Sequence, residues 1–192
     1  MIEEILEFWF GKIENPEDFP VDRLDLWFKK DQAVDTKIKQ TFGHLLKEDL
    51  KEWDKEAKGR LAHLLVLDQF SRHIYRGKPE SFHYDPQSLA LVIEGLGKGM
   101  DQELLPIERA FFYMPLQHIE DPKVQDLSVK CYKRLFVDAP EGIKKMYHEF
   151  YKYALRHQEP IAEFGRFPHR NAILGRTSSA EEEAYLKKEG SF

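Results

Sequence analysis

The stretch GRLAHLLVLDQFSRHIYR, residues 59–76, decides the fold class, because its apolar residues recur with a helical period. These apolar positions are Leu61, Leu64, Leu65, Leu67, Phe70 and Ile74. They are too many for a surface helix and predict one that is buried. Gly77 and Pro79 follow and are typical of a helix end. The predicted helix closes with Arg72 and Arg76 in its last two turns.

The same helical pattern recurs along the rest of the chain. Helices are predicted for residues 1–10 and 21–30, after Asp31, after the Asp-Pro pairs 85–86 and 121–122, and from Pro106, Pro140 and the capping box 178–181. A break is expected near Pro115, and the helix from Pro140 should stop before Pro160, because proline lacks the N–H of the helical ladder. No strand-like alternation exceeds about four residues. The fold class is therefore all-α, with antiparallel helix pairs stacked in a bundle or a short solenoid, in a single domain over residues 1–192.

The composition argues against several classes of protein. The net charge of −5 disfavours binding to nucleic acid or to an anionic membrane, since both need a cationic surface. The single cysteine, Cys131, has no partner for an internal disulfide, and the longest apolar run, residues 110–116, is too short to cross a bilayer. The chain begins with an acidic stretch rather than a basic signal peptide. We therefore expect a cytoplasmic protein with no nucleic-acid partner and no membrane partner.

Arginine and lysine occupy different parts of the chain. Lysine is absent from residues 59–77, 99–122 and 153–186, and these three segments hold eight of the ten arginines and five of the eight histidines. Lysine is the strongly hydrated surface cation, whereas arginine makes planar, bidentate contacts at buried or interfacial sites. The distribution predicts a lysine-rich surface around three arginine-bearing segments.

The first segment carries Asp68, Gln69, Arg72 and Arg76. In a regular helix Asp68, Arg72 and Arg76 lie at i, i+4 and i+8 and share one face, with Asp68 and Arg72 at ion-pair spacing. Such a pair on a helix surface contributes less than about 1 kcal/mol and would be purely structural. The density of leucine on the same helix instead favours a groove between helices. Both interpretations stay open at this point.

The second segment carries His118, Glu120 and Asp121. His118 and Asp121 are three residues apart, so a metal ion would need them together with a third ligand such as His157 or His169. No compact metal-binding signature such as HExxH occurs, and we predict neither a metal nor a cofactor. Asp121 alone also fits the N-cap of the helix that follows it.

The third segment, FGRFPHRNAILGR at residues 164–176, places Arg166, His169, Arg170 and Asn171 between aromatic and aliphatic residues. A solvated loop needs no aromatic anchors, and a plain core segment does not hold three arginines. We therefore expect an irregular, folded segment whose polar groups are directed at a specific partner. Nearby cations should lower the pKa of His169 and leave a neutral imidazole, which suits a base or a hydrogen-bond partner. An imidazole bonded to a backbone carbonyl explains His169 equally well.

Motifs from these segments, and two more from the first 31 residues, resemble the hallmark sequences of a known bacterial family, domain of unknown function 924. The matching motifs are DQFSRHIYRG (68–77), YMPLQHIED (113–121), FGRFPHRNAILGR (164–176), ILEFWFG (5–11) and WFKKD (27–31). The resemblance implies an all-α, tetratricopeptide-repeat-like superhelix, and it implies no activity. Two positions depart from the family pattern: Ser71 stands where proline is usual, and Ile119 where serine is usual. The second departure argues against a role for a hydroxyl group next to His118.

We expect a concave pocket in which polar residues of the three segments converge. Its predicted ligand-binding residues are Asp68, Gln69, Arg72, Arg76, His118, Glu120, Asp121, Arg166, His169, Arg170 and Asn171. The surplus of arginine points to a small anionic ligand, a carboxylate or phosphate, held bidentately. The candidates for catalysis are His169, His118 and Glu120. A helical-repeat scaffold that grips a peptide in its concave groove is the first alternative. A polar network that only cross-links helices is the second.

Overall fold

The computed structural model describes residues 1–189. The helices are α1 (Ile2–Phe10), α2 (Leu24–Phe28), α3 (Gln32–Phe42), α4 (Ala57–Leu64), α5 (Ser71–Ile74), α6 (Asp85–Gly97), α7 (Pro106–Gln117), α8 (Pro122–Asp138), α9 (Lys144–Phe164) and α10 (Ala180–Glu189). Short 3₁₀ turns lie between several of them, including Val21–Arg23, Pro79–Phe82 and Pro168–Arg170. No strand occurs in the described residues, so the all-α prediction is confirmed. The tetratricopeptide-repeat-like arrangement stays a prediction.

The leucine-rich stretch forms one continuous helical path with an unusual centre. The path runs through α4 into a π-helical segment, Leu65–Phe70, and from there into α5. Asp68 and Gln69 lie inside the π segment and are both buried. A π segment has a wider turn than an α-helix and is frequent at functional sites. It also changes which of the following side chains share a face of the helix with Asp68, and this affects Arg72 of α5 and Arg76 just after it.

The aspartates before the predicted helices have two different roles. Asp121 is an N-cap, as predicted, because its carboxylate accepts from Lys123 N at 2.8 Å. Asp31 caps α3 in the same way, since its carboxylate accepts from Ala33 N at 2.8 Å. The Asp-Pro pair at residues 85–86 also predicts Asp85 as an N-cap, and this prediction is wrong. Asp85 is the first residue of α6 and makes no capping bond with its side chain, because two arginines bind its carboxylate instead.

The predicted proline breaks are wrong at both positions. Helix α7 continues through Pro115 to Gln117, and α9 continues through Pro160 to Phe164. Each proline lies in the last five residues of its helix and removes one N–H of the helical ladder, so the loss is a single hydrogen bond. Both are also buried, so tertiary packing holds the helical path.

The last capping box lies one residue later than predicted. Ser179 Oγ accepts from Glu182 N at 3.2 Å, and the Glu182 carboxylate accepts from Ser179 N at 2.8 Å. The Ser178 hydroxyl instead accepts a hydrogen bond from the Asn171 side chain at 3.0 Å. Helix α10 therefore starts at Ala180 and is tied to the segment before it.

The core is built on aromatic side chains from α1, the π segment and α7. The ring of Trp9 lies 5.6 Å from those of Phe70 and Phe111, with edge-to-face geometry in both pairs. Trp27 adds a ring 4.7 Å from Phe111 and donates its indole N–H to the Trp9 carbonyl at 3.0 Å. Each such aromatic pair contributes about 0.5–1.5 kcal/mol beyond its buried area. This packing fixes the π segment against α7. Among residues 1–189, no helix combines the length and the apolar character needed to cross a membrane.

Candidate functional site

Five charged or polar side chains from different elements meet in what we call the inner cluster. They are Asp68 of the π segment, Arg72 of α5, Asp85 of α6, His118 at the C-cap of α7, and Arg170 of the turn Pro168–Arg170. Hydrogen bonds link all five into one group. The structure thus brings together two residues of the first arginine-bearing segment, one of the second and one of the third, as predicted, and it adds Asp85.

Asp68 is the most buried carboxylate of the inner cluster, with 1% of its surface exposed. One of its oxygens lies 2.7 Å from His118 Nδ1 and 3.0 Å from Arg72 Nη1, which confirms the predicted ion pair with Arg72. The other oxygen accepts from Gln69 Nε2 at 2.5 Å. Burial alone would raise the pKa of Asp68, but the charge of Arg72 and the hydrogen bonds from His118 and Gln69 hold it well below its usual range. Asp68 is therefore a carboxylate at neutral pH.

His118 is oriented by that carboxylate. Burial lowers the pKa of His118, and the charge of Arg72 lowers it further, against a partial offset from Asp68. The imidazole is accordingly neutral at pH 7. Because the ionised Asp68 can only accept, the proton of the neutral ring is on Nδ1 and the lone pair is on Nε2. In the part of the chain that the structure describes, Nε2 has no hydrogen-bond partner, and 14% of the side chain is exposed. The ring thus offers a fixed acceptor that solvent can reach.

Asp85 bridges the two arginines of the inner cluster. One carboxylate oxygen accepts from Arg72 Nη2 at 2.8 Å, and the other accepts from Arg170 Nη1 at 3.3 Å. Two carboxylates then face two guanidinium groups, and His118 is neutral, so the formal charge of the inner cluster is zero. The surplus of positive charge expected from the arginine count is absent here.

Arg170 is 6% exposed and lies between two aromatic rings. Its guanidinium carbon is 4.4 Å from the centre of the Phe82 ring and 4.6 Å from that of Phe167, a stacked cation–π arrangement. Its Nη2 donates to the His118 carbonyl at 2.8 Å, whereas its Nε is buried and unpaired among the described residues. Burial, and next the charge of Arg72, lower the pKa of Arg170 to about 10, so the group stays protonated at neutral pH.

Two further histidines lie beside the inner cluster. The His157 ring is 6.1 Å from that of His118, and its Nδ1 donates to the Tyr153 carbonyl at 2.8 Å. Burial lowers the pKa of His157 to about 3, with a further contribution from His118. For His169 the lowered pKa, about 4, is as predicted, although burial contributes more than the neighbouring Arg170. No group of three or more His, Cys, Asp or Glu side chains among residues 1–189 is arranged to hold a metal ion.

Glu120 lies outside the inner cluster and holds the third segment in place. Its carboxylate accepts from Arg176 Nη1 at 2.7 Å and Nη2 at 2.9 Å, and from Phe167 N at 2.7 Å. Although burial opposes ionisation, the hydrogen bond from Arg176 and the one from Phe167 lower the pKa of Glu120. With both oxygens engaged, Glu120 positions Phe167 and the neighbouring Arg170 rather than a ligand.

Arg166 and Asn171 bind α10 instead of the inner cluster. Arg166 donates from Nε and Nη2 to the two oxygens of Glu182, at 2.6 and 2.8 Å, and Asn171 Nδ2 donates to Glu182 at 3.2 Å. Glu182 is 2% exposed, and the hydrogen bond from Arg166 is the largest cause of a pKa lowered to about 2. These contacts hold α10 against the third segment. The sequence alone could not distinguish them from contacts to a ligand.

Arg76 does not reach Asp68. It donates from Nε and Nη2 to Asp35 of α3, both at 2.7 Å, and lies near His73 in the same small group. The i+8 relation to Asp68 fails because the π segment widens the turn and α5 ends at Ile74. Asp121, also predicted in the pocket, is an N-cap as described above. Sequence reasoning in turn missed Asp85 and Phe82 as members of the site, and it named His157 only as a possible metal ligand.

Comparison with known proteins places the whole chain in one group. Residues 5–190 match the family described as "Bacterial protein of unknown function (DUF924)". A solved structure of a protein of unknown function from Agrobacterium tumefaciens is similar, with 30% sequence identity, a TM-score of 0.82 and 97% of each chain covered. No curated protein matches the chain. The chain therefore belongs to the DUF924 family of bacterial proteins of unknown function.

Proposed function

We propose that the inner cluster binds a small molecule that carries a carboxylate or phosphate group, with His118 as its hydrogen-bond acceptor. The observation that carries the proposal is the His118 ring itself. Asp68 fixes its tautomer, its pKa is lowered, and its Nε2 lone pair is reachable and unpaired in the described residues. A ring that served only to cross-link helices would gain from a partner on both nitrogens.

Unused hydrogen-bond donors of the arginines, rather than a positive net charge of the inner cluster, support the binding of an anionic group. Arg170 gives one hydrogen bond to Asp85 and one to the His118 carbonyl, and its Nε–H is unpaired in the described part of the chain. Arg72, with 19% of its side chain exposed, adds a second guanidinium at the same place. Carboxylate and phosphate oxygens are the acceptors that match guanidinium geometry. A neutral cluster would favour a ligand of low charge that also carries an O–H or N–H for His118.

The same geometry supports proton abstraction. A neutral imidazole oriented by a carboxylate is the arrangement of a general base, and bound ligand would place its acidic proton at Nε2. Of the three predicted catalytic candidates, Glu120 is engaged by Arg176 and Phe167. His118 is therefore the base we propose, with His169 as a neighbour that keeps the site uncharged.

A specific observation also favours the structural alternative. Arg72, Arg76, Arg166 and Arg176 each bind a carboxylate, as expected of a network that cross-links helices. The peptide-binding scaffold on a tetratricopeptide-repeat-like superhelix stays a prediction. A cytoplasmic location is likewise part of the proposal and rests on the composition and the single cysteine.

A thermal-shift experiment separates these alternatives. Small carboxylates and inorganic phosphate are titrated at constant ionic strength, and ligand binding raises the melting temperature according to the preference of the ligand for the native state. The informative variant is His118→Asn, because the asparagine amide keeps a donor toward Asp68 and removes the acceptor Nε2. The control is His44→Asn, at an exposed histidine with only a long ion pair to Glu48.

We expect at least one probe to raise the melting temperature of the wild type and of His44→Asn, and not that of His118→Asn. A wild type that responds to no probe, together with a lowered melting temperature in His118→Asn, would show that the cluster is structural. An equal response in wild type and His118→Asn would show that binding occurs elsewhere. Capture of a peptide by the wild type without any response to small anions would favour the scaffold.

A further inference from the structure

A cleft separate from the inner cluster lies between the end of α1 and the turn Val21–Arg23. Its volume is about 530 Å³, and its lining includes Phe10, Gly11, Asn15 and Arg23. Cavities of about 300–1,000 Å³ are typical of small-molecule sites. None of the lining residues belongs to the inner cluster, and two of them come from the ILEFWFG motif, which the first proposal leaves unexplained.

Arg23 differs from most other arginines of the chain. Its side chain makes no hydrogen bond to any described residue, and its buried Nε is unpaired there. Its one ion pair is with its neighbour in sequence, Asp22, at 3.5 Å from Nε. By contrast, Arg76, Arg166 and Arg176 each bind a carboxylate with hydrogen bonds of 2.9 Å or less. Arg23 is about one-third exposed, so its guanidinium is partly accessible although its Nε is buried.

Gly11 explains how the guanidinium is held. Its φ is +69°, which favours glycine, and an added Cβ would lie 3.2 Å from Arg23 Nη2 and 3.3 Å from Nε. The guanidinium therefore lies across the bare backbone of Gly11. The loop in between is closed by Asp18, whose carboxylate accepts from Glu14 N at 2.7 Å and from Asn15 N at 2.8 Å. A short, fixed loop thus places a planar set of donors at the wall of the cleft.

We propose that this cleft binds a small carboxylate-bearing molecule, with Arg23 as its bidentate partner. A guanidinium fork matches the two oxygens of a carboxylate. The charged residues of the lining are Lys12 and Arg23 against Glu14, Asp18 and Asp22, so the cleft is slightly acidic. A phosphate dianion would be repelled more strongly than a monoanionic carboxylate. An ammonium group on the same ligand, as in an amino acid, would be accepted by the acidic side chains.

The test follows backbone amide chemical shifts while the protein is titrated with acetate, glycine or inorganic phosphate at constant pH and ionic strength. We expect saturable shifts within residues 10–23 for acetate or glycine. Arg23→Gln should weaken this binding by about tenfold or more, the loss of a charge-assisted bidentate pair. Arg23→Lys keeps the charge without the fork and should also bind more weakly. The matched control is Arg134→Gln, since Arg134 is 70% exposed and its ion pair is with Asp138 of its own helix.

The outcomes distinguish simple acids from amino acids as the source of the carboxylate, and some of them would overturn the proposal. Binding of acetate identifies simple acids as ligands, and binding of glycine alone identifies amino acids. Either result supports the proposal if Arg23→Gln no longer binds the probe and Arg134→Gln still binds it. The proposal is overturned if no probe gives saturable shifts in this loop, if phosphate alone does so, or if Arg23→Gln binds as tightly as the wild type. Unchanged circular dichroism and melting temperature in Arg23→Gln show that a loss is not due to unfolding.

Discussion

Replacing Asp68 with asparagine tests how strongly the inner cluster holds the fold together. The substitution keeps the shape of the side chain and removes the charge that faces Arg72 Nη1 and His118 Nδ1. Breaking one partner of a buried pair costs about 3–5 kcal/mol, because an uncompensated charge stays behind. Arg72 retains Asp85 at 2.8 Å, and the new amide still offers one acceptor. We therefore expect the low end, a loss of about 3 kcal/mol in the free energy of unfolding.

Urea denaturation at pH 7 measures this loss, and for a chain of 192 residues it corresponds to a fall of about 6–12 °C in melting temperature. The control is Asp126→Asn on α8, an exposed carboxylate that accepts from Gln158 at 2.7 Å. Its effect should stay within about 0.5 kcal/mol. A loss below about 1 kcal/mol for Asp68→Asn would refute the reasoning, since it would mean that the pair is as weak as a surface ion pair.

The pH dependence gives a second check on Asp68. Because its pKa is lowered in the folded state, the stabilisation is fully present above the unfolded value of about 3.9 and is lost as the pH falls below it. The difference in stability between wild type and Asp68→Asn should therefore be constant from pH 7 to pH 5 and shrink below pH about 4. A difference that stayed constant into strong acid would show that the charge of Asp68 is not what stabilises the fold.

Two further predictions concern protonation and packing. Because the pKa of His157 is lowered to about 3 and that of His169 to about 4, the unfolded chain takes up protons first, and stability should fall between pH about 6.5 and 4. Each histidine should change the free energy of unfolding by up to about 1.4 kcal/mol per pH unit. Urea denaturation of the wild type, His157→Gln and His169→Gln at several pH values measures this change. A wild-type stability that does not vary over this pH range would contradict the prediction. Gly95→Ala should cost about 1–3 kcal/mol, because its Cβ would lie 2.6 Å from Phe112 Cζ. Gly97→Ala on the same helix has open space and should be neutral or stabilising by up to about 1 kcal/mol; equal melting temperatures for the two variants would refute the packing argument.

Much of the fold could be predicted because it depends on local chemistry. The period of the apolar residues places the helices, and Asp31 and Asp121 cap them with bonds to amides two residues away. The errors arise where tertiary contacts override local rules. Pro115 and Pro160 lie inside helices because packing retains the helical path. Local pattern therefore indicates where helices are, and burial decides where they end.

The candidate site was harder to predict for a physical reason. The conversion of residues 65–70 to a π-helix changes which side chains share a face, and no propensity signals it, so Arg76 was placed with Asp68 in error. Asp85 precedes proline and has the pattern of an N-cap, although its carboxylate binds Arg72 and Arg170. The pairing of Arg166 with Glu182 depends on how α10 docks, which a single sequence does not contain. The sequence marks the arginines as special and leaves their partners open.

Some arginines of the chain are fully bonded to carboxylates and others keep an unpaired nitrogen, and this difference favours two binding sites over one structural network. Arg166 and Arg176 are saturated by carboxylates, and through Glu182 and Glu120 they fix the segment that carries Arg170. An unpaired buried donor costs free energy, and a network with only a structural role would be expected to satisfy it. Among the described residues, several buried side-chain nitrogen and oxygen atoms lack a hydrogen-bond partner. Only two of these atoms belong to charged groups, Nε of Arg170 and Nε of Arg23. Both lie at the sites proposed above, and violations of local rules of this kind are expected mainly at functional or strained sites.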